Sequence, residues 1–302
     1  MNMFSRTCQF LVSLVLLVAI WAPPCAAQPA QSPAKAALRF SLIPKRNVDQ
    51  QLADFKPLLD LLEEKLQRPI KVVRPQSYQS VIEGLLSNSI DFAILGPASY
   101  TMAKKRDNRI EAFASFSQKE GFSTPRGSYY NSLLITLKDR EITSIDDLRG
   151  KKVAFTDPAS TSGSIIPSVQ FAKVIGQPID RFFGSQIYTG SHDRSIKAVV
   201  KGWVDAAFVA SSRLDEEVLK RHADPQQIVI LWRSQNIHYD PFVFGSHLDE
   251  SLREQIRNII LSPSPELQEM CANMQREGIV PVSDADYQPI HEIAAQKRKQ
   301  DQ

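Results

Sequence analysis

Cysteine is scarce. Cys8, Cys25 and Cys271 are the only three in 302 residues, and none sits at metal-ligand spacing from another. The five histidines, His192, His222, His238, His247 and His291, contain no HExxH and no other close pair, so the case for a metal site is poor. There is no GxGxxG and no GxxxxGK[ST], which removes the two glycine-rich phosphate cradles of nucleotide enzymes. There is no G-x-S-x-G elbow to present a nucleophilic serine. An excess of one charge is lacking as well: 36 Lys and Arg face 33 Asp and Glu, for a formal charge of +3. That is no electrostatic footprint for nucleic acid. The basic QKRKQ near the C-terminus reads as a solvated helix end. No cofactor is expected.

Long apolar runs are missing too. The longest, FLVSLVLLVAIW (10–21), is too short for a comfortable membrane span. Arg6 precedes it and Cys25-Ala26-Ala27 follows. This is the pattern of a secretory signal over 1–27, cleaved near Ala27–Gln28, and it predicts a periplasmic protein. Cys25 as a lipid-attachment site fits poorly, because Pro23-Pro24 stands directly before it. Removal of the signal leaves Cys271 alone, so no intramolecular disulfide can form. The exported chain must rely on a sizeable core, which about 275 residues can supply. Residues 28–37 read as a linker.

What is present is ordinary globular composition, with 43% hydrophobic and 23% charged residues. From Leu38 onward, apolar strands alternate with amphipathic helices. Strands are expected at 38–43, 70–74, 91–96, 113–116, 131–138, 152–156, 185–189, 205–210 and 228–233. Helices are expected at 49–66, 77–88, 99–106, 144–150, 163–175, 195–202 and 214–222, with a mostly helical tail from Asp249. Pro57 is an irregularity in the first helix, and Ser77 is placed to cap the second. The alternation predicts mainly parallel sheets covered by helices. Two runs of it, separated by SQKEGFSTPRGSYY (117–130), predict two lobes. The first lobe takes 38–129 and 241–302, the second 130–240. Crossings near 130 and 240 make a two-strand hinge.

In such sheets ligands sit beyond the carboxyl ends of strands, where helices begin. FTDPASTSG (155–163) falls there, with Ser160, Thr161 and Ser162 at a helix start. Free N–H groups, the helix dipole and adjacent hydroxyls make an anion site that needs no lysine. Taken alone, the stretch reads as readily as an N-cap and serine-rich turn. YTGSHD (188–193) repeats the arrangement after the next strand and brings His192 to the same edge. HYDPF (238–242) supplies Asp240 where the second run ends. A serine nucleophile with His192 as base lacks an obvious orienting carboxylate, so no enzyme is expected.

The order YYNSLLITLKDREITSIDDLRGKKVAFTDPASTSG, YTGSHDRSIKAVVKGWVDAAF and DPF, preceded by SYQSVI and DFAILGPASY, carries a resemblance. It resembles the phosphonate, phosphite and phosphate substrate-binding proteins of bacterial ABC transporters. The resemblance implies an α/β, two-lobed periplasmic-binding-protein fold of type II that closes on a phosphorus oxyanion. It implies that Ser160, Thr161, Ser162 and His192 hold the phosphonyl oxygens, with Tyr78, Tyr130 and Asp240 completing the site. Tyr100 and Ser212 are further candidates. At Ser212, aminoalkylphosphonate-binding members carry a glutamate for the ligand's amine. Its replacement points to phosphite, phosphate or methylphosphonate. The implied partner is a membrane ABC permease, and the expected state is a monomer. A sensory receptor of the same fold, and a Ser/His hydrolase, are the competing readings.

Overall fold

The structure, a computed structural model, describes residues 35–300. The signal segment, with Cys8 and Cys25, and most of the linker lie outside the described residues.

Two sheets organise the chain. The first has six strands in the order Arg276–Pro281, Glu111–Gln118, Pro241–Phe244, Phe92–Ile94, Leu38–Leu42, Ile70–Val72. The second has five, in the order Ile228–Arg233, Ser132–Leu137, Ala206–Ala210, Lys152–Phe155, Ser185–Tyr188. Both sheets are mixed rather than mainly parallel. Leu38–Leu42 runs parallel to both its neighbours, but Pro241–Phe244 pairs antiparallel with Phe92–Ile94. In the second sheet Ser132–Leu137 is antiparallel to Ala206–Ala210. The reason is topological. Ser132–Leu137 and Pro241–Phe244 are the strands by which the chain enters one sheet and returns to the other, and they arrive without a crossover helix to turn them parallel. Between them, Tyr129–Tyr130 and Ile237–His238 pair antiparallel as a separate two-stranded ribbon, with Ile237 opposite Tyr130.

The strands read as unbroken apolar runs because both faces of each sheet are covered. Phe92 and Ile94 enter one core cluster and Ala93 the cluster on the opposite face; Phe242 and Phe244 alternate with Val243 in the same way. In the second sheet Ala207 and Val209 face one cluster, and Ala206 and Phe208 the other. The helix Val48–Leu66 continues through Pro57, capped by Asn47, and buries Phe55, Leu58 and Leu62 on the first sheet. Ser77 caps the helix Tyr78–Leu86 by accepting from Ser80 N–H at 3.1 Å.

Three elements differ from expectation. The segment 144–150 forms only a 3-10 turn, Asp146–Leu148. The helix expected at 163–175 begins earlier and starts with wide turns, Thr161–Ile165 and Pro167–Phe171, in which Ile165 N–H reaches back five residues to Ser160 O. Pro167 has no N–H to give, so a regular ladder is interrupted there. The tail contains a strand, Arg276–Pro281, that its sequence REGIVP hides because only two strongly apolar residues lie within it.

Phe208 is fully buried, with the rings of Phe155 and Phe171 both 5.2 Å away. Phe208→Ala is expected to cost about 3–5 kcal/mol of folding stability. Urea unfolding of wild type and variant measures it, and a loss below about 1 kcal/mol contradicts this packing.

Candidate functional site

The loops that leave the strands at their carboxyl ends converge on one small cavity between the sheets. Ser160, Thr161, Ser162, His192, Tyr78, Tyr130, Asp240 and Ser212 all line it. Its volume is about 10 Å³ when measured at the centre of a water-sized sphere, room for roughly one water. Tyr100 is not part of it. That ring is buried on the far side of the helix Pro97–Arg106, where its hydroxyl donates to Asp284 at 2.7 Å and its face meets Tyr287.

The hydroxyl run is a helix start, as the residues suggest. Ser160 is the N-cap and its Oγ accepts from Gly163 N–H at 3.1 Å. The first N–H groups of the helix have no partner within it and face the cavity end with the positive dipole. Thr161 Oγ1 accepts from Ala98 N–H at 2.8 Å, across from the first sheet's side, and so retains its own proton to donate. Gly163 is constrained here: a Cβ would lie 2.3 Å from Thr156 Oγ1.

Thr156 matters because it holds His192. Nδ1 of His192 accepts from Ala210 N–H at 3.1 Å and lies 3.1 Å from Thr156 Oγ1. A ring nitrogen that accepts from a backbone N–H carries no proton, so the proton sits on Nε2 and the ring is a donor toward the cavity. Burial, helped by the Arg213 and Lys45 cations, pushes the His192 pKa down to about 3. The ring is a neutral donor at any ordinary pH. With Nε2 protonated, it has no lone pair with which to take a proton from a serine, and the hydrolase geometry fails.

Two phenols face this group. Tyr78 is 1% exposed, and its hydroxyl lies near Ser160 without a partner at hydrogen-bond geometry. Tyr130 is fixed by the crossover ribbon. Burial, reinforced by Asp240, raises both phenols well above their usual range, so both remain O–H donors.

The site also holds Tyr239, from the same HYDPF stretch as Asp240, and two residues that the sequence motifs did not announce, Lys45 and Arg213. Lys45 Nζ lies 2.5 Å from Asp240 Oδ2. A lysine does stand in the cavity, and Asp240 is not an unpaired carboxylate. Arg213 donates to Glu216 at 2.6 Å, and Glu216 also draws Arg276 to 3.5 Å and Arg46 to 3.6 Å. The Tyr239 hydroxyl accepts from Arg276 at 2.8 Å. Burial alone would raise that phenol's pKa, but Arg276, Lys45 and Arg213 bring it below its ordinary value. Lys45 was findable, since IPKRN directly follows the first strand at its carboxyl end. Arg276 was not, because its strand was invisible. Among the described residues no cluster of His, Cys, Asp and Glu could hold a metal ion.

The family model for the periplasmic substrate-binding protein of phosphonate ABC transporters matches residues 40–287. The chain is 26% identical over 273 residues to the phosphate-import protein PhnD of Mycolicibacterium smegmatis, covering 85% of this chain and 84% of that one. It is 28% identical over 272 residues to the phosphonates-binding periplasmic protein of Escherichia coli, covering 87% and 78%. The crystal structure of a binding-protein component of a phosphonate ABC transporter from Pseudomonas aeruginosa superposes with a TM-score of 0.79 at 22% identity, covering 88% of each chain. Two mixed sheets forming two lobes, a type II periplasmic-binding-protein fold, and a family match over most of its length make this chain a member of the periplasmic substrate-binding proteins of phosphonate ABC transporters.

Proposed function

We propose that the chain is a secreted receptor that closes on a small phosphorus oxyanion, phosphite, phosphate or methylphosphonate, and delivers it as a monomer to a membrane permease. The lobes are 38–129 with 241–302, and 130–240, hinged at the crossover ribbon. Ser160, Thr161, Ser162 and His192 hold the phosphonyl oxygens from the second lobe, and Tyr78 donates from the first. The observation that carries this reading is the Tyr78 hydroxyl. It is buried and unpartnered, and it borders the same cavity as a helix start and a histidine locked as a donor. A buried hydroxyl without a partner costs about 1–3 kcal/mol, which an oxyanion would recover. A cationic amine is disfavoured, since Ser212 offers it no carboxylate and Arg213 and Lys45 stand close by.

Asp240 accepts from a protonated ligand oxygen, and Lys45 keeps its charge compensated when the anion arrives. Phosphate-type ligands have a second pKa of about 6, so they supply that proton near neutrality. Sulfate does not. Lys45 softens this discrimination without removing it, because it cannot provide the missing hydrogen.

Calorimetric titration of the purified protein with phosphite, phosphate, methylphosphonate, 2-aminoethylphosphonate and sulfate tests the reading. A phosphorus oxyanion is expected to bind in the micromolar range or tighter, about −8 kcal/mol or better. His192→Ala is expected to lose about 1.5–3 kcal/mol of that, roughly 10- to 150-fold. Asp240→Asn is expected to narrow the gap between phosphate and sulfate. No binding across the panel overturns the function, and sulfate binding as tight as phosphate in wild type overturns the role of Asp240. Histidine NMR gives an independent check. The His192 ring is expected to stay neutral between roughly pH 5 and 8. In the unfolded chain it titrates near 6.5, against about 3 when folded. The unfolded chain then binds the extra proton, and folding stability falls as the pH drops from 6.5 toward 3.

A further inference from the structure

We infer that Glu216 is a latch between the lobes, a positioning residue that touches no ligand yet sets how long a bound oxyanion stays. The inference rests on the receptor reading and the lobe division above, and deepens them. Glu216 lies on the helix Ser211–Leu219, which follows a strand of the second sheet. It is not among the residues that line the anion cavity. Its carboxylate meets three guanidiniums. Arg213, one turn earlier on the same helix, donates to it at 2.6 Å. The other two come from the first lobe. Arg276, on the strand Arg276–Pro281, lies 3.5 Å away, and Arg46, in the loop after the strand Leu38–Leu42, lies 3.6 Å away.

The other partners of those two arginines make the pairing consequential. Arg276 is 5% exposed, and among the described residues Glu216 is the one carboxylate within ion-pair distance of it. Its remaining bond goes to the Tyr239 hydroxyl at 2.8 Å. A buried cation of one lobe therefore has its counter-charge on the other. Arg46, also buried, is shared between Glu216 and Asp54 of its own lobe. Burial alone would raise the Glu216 pKa, but Arg213, Arg276 and Arg46 bring it below its ordinary value, so the carboxylate is ionised. Removing one member of a buried pair leaves the other charge uncompensated, which costs more than the pair is worth. Parting the lobes lets water reach Arg46 and Arg276, so that cost falls on the closed arrangement. Loss of Glu216 then favours opening, and a ligand leaves through the open state. Arrival is little changed, because the ligand enters before the pairs form.

The test uses phosphite, phosphate and methylphosphonate as probes. Calorimetry gives the affinity, and the chase of labelled ligand by excess unlabelled ligand gives the release rate. The proteins are purified wild type, Glu216→Gln, Arg46→Gln, Arg276→Gln and the double variant Arg46→Gln/Glu216→Gln. Glu216→Gln is expected to release ligand at least about tenfold faster, with a matching loss of affinity and an unchanged association rate. The order of the three probes is expected to stay as in wild type. Arg46→Gln and Arg276→Gln are expected to move the release rate the same way. Both leave the Arg213–Glu216 bond in place, so their effect is not that of Arg213 turning toward the ligand. The double variant is expected to release more slowly than the product of its two single effects, since either single already breaks the pair. Wild-type release in both arginine variants, a double variant that multiplies, or an affinity loss carried by slower association overturns the inference. So does a lowered urea midpoint of ligand-free Glu216→Gln with release unchanged, which assigns the residue to the fold alone. In each of those cases wild-type binding stands and the receptor reading with it; no binding of any probe to wild type removes both. Should Glu216→Gln fail to fold, the two arginine variants decide.

Discussion

The charges of this protein's cleft are held away from water, and that single constraint sets how each is partnered. Asp240 is 4% exposed and Lys45 Nζ is its partner at 2.5 Å. Arg213 is 5% exposed and spends its guanidinium on Glu216 and on Tyr239. A buried charge without such a partner would cost several kcal/mol. The groups left for a ligand are therefore mostly neutral: hydroxyls, first-turn amides, two protonated phenols and an imidazole fixed as a donor. The cations shape the potential and depress the His192 pKa, while the neutral donors make the bonds. A phosphorus oxyanion suits such a ring because its negative charge is spread over several acceptor oxygens.

Much of this was legible because strand–polar loop–helix junctions leave a clear mark in the sequence. Two such junctions bring Ser160–Ser162 and His192 to one cavity, since neighbouring strands of one sheet end at one edge. Asp240 and Tyr130 were legible from where the two runs of alternation meet. What escaped has physical reasons. A lysine in a loop looks solvated unless its carboxylate is known, and the partner of Lys45 is 195 residues away. Arg276 sits on an edge strand too polar to announce itself. Tyr100 stands in a helix with Ser99, whose hydroxyl does bond Ala159 O near the cleft at 2.9 Å, yet the helical turn directs the ring elsewhere. The parallel character of the sheets was overstated because alternation reports helices between strands, and not the direction in which a chain returns from another lobe.

The crossover ribbon links these levels. Tyr129–Tyr130 and Ile237–His238 are two residues each, too short to be stable alone. They pair because each continues into a strand of a large sheet. Their pairing places the Tyr130 and Tyr239 rings 5.5 Å apart, edge to face, on the cavity wall. The same short ribbon therefore joins the lobes and sets two of the site's aromatic side chains.

Some of the contacts between the lobes near the cleft are made by the site's own residues. His192 N–H donates to Lys45 O at 3.0 Å, and Ala98 N–H to the Thr161 hydroxyl at 2.8 Å. Parting the lobes has to break these bonds. The residence time of a ligand between the lobes then depends on these bonds as well as on its own, and a membrane partner that prised the lobes apart would shorten that time without touching the ligand.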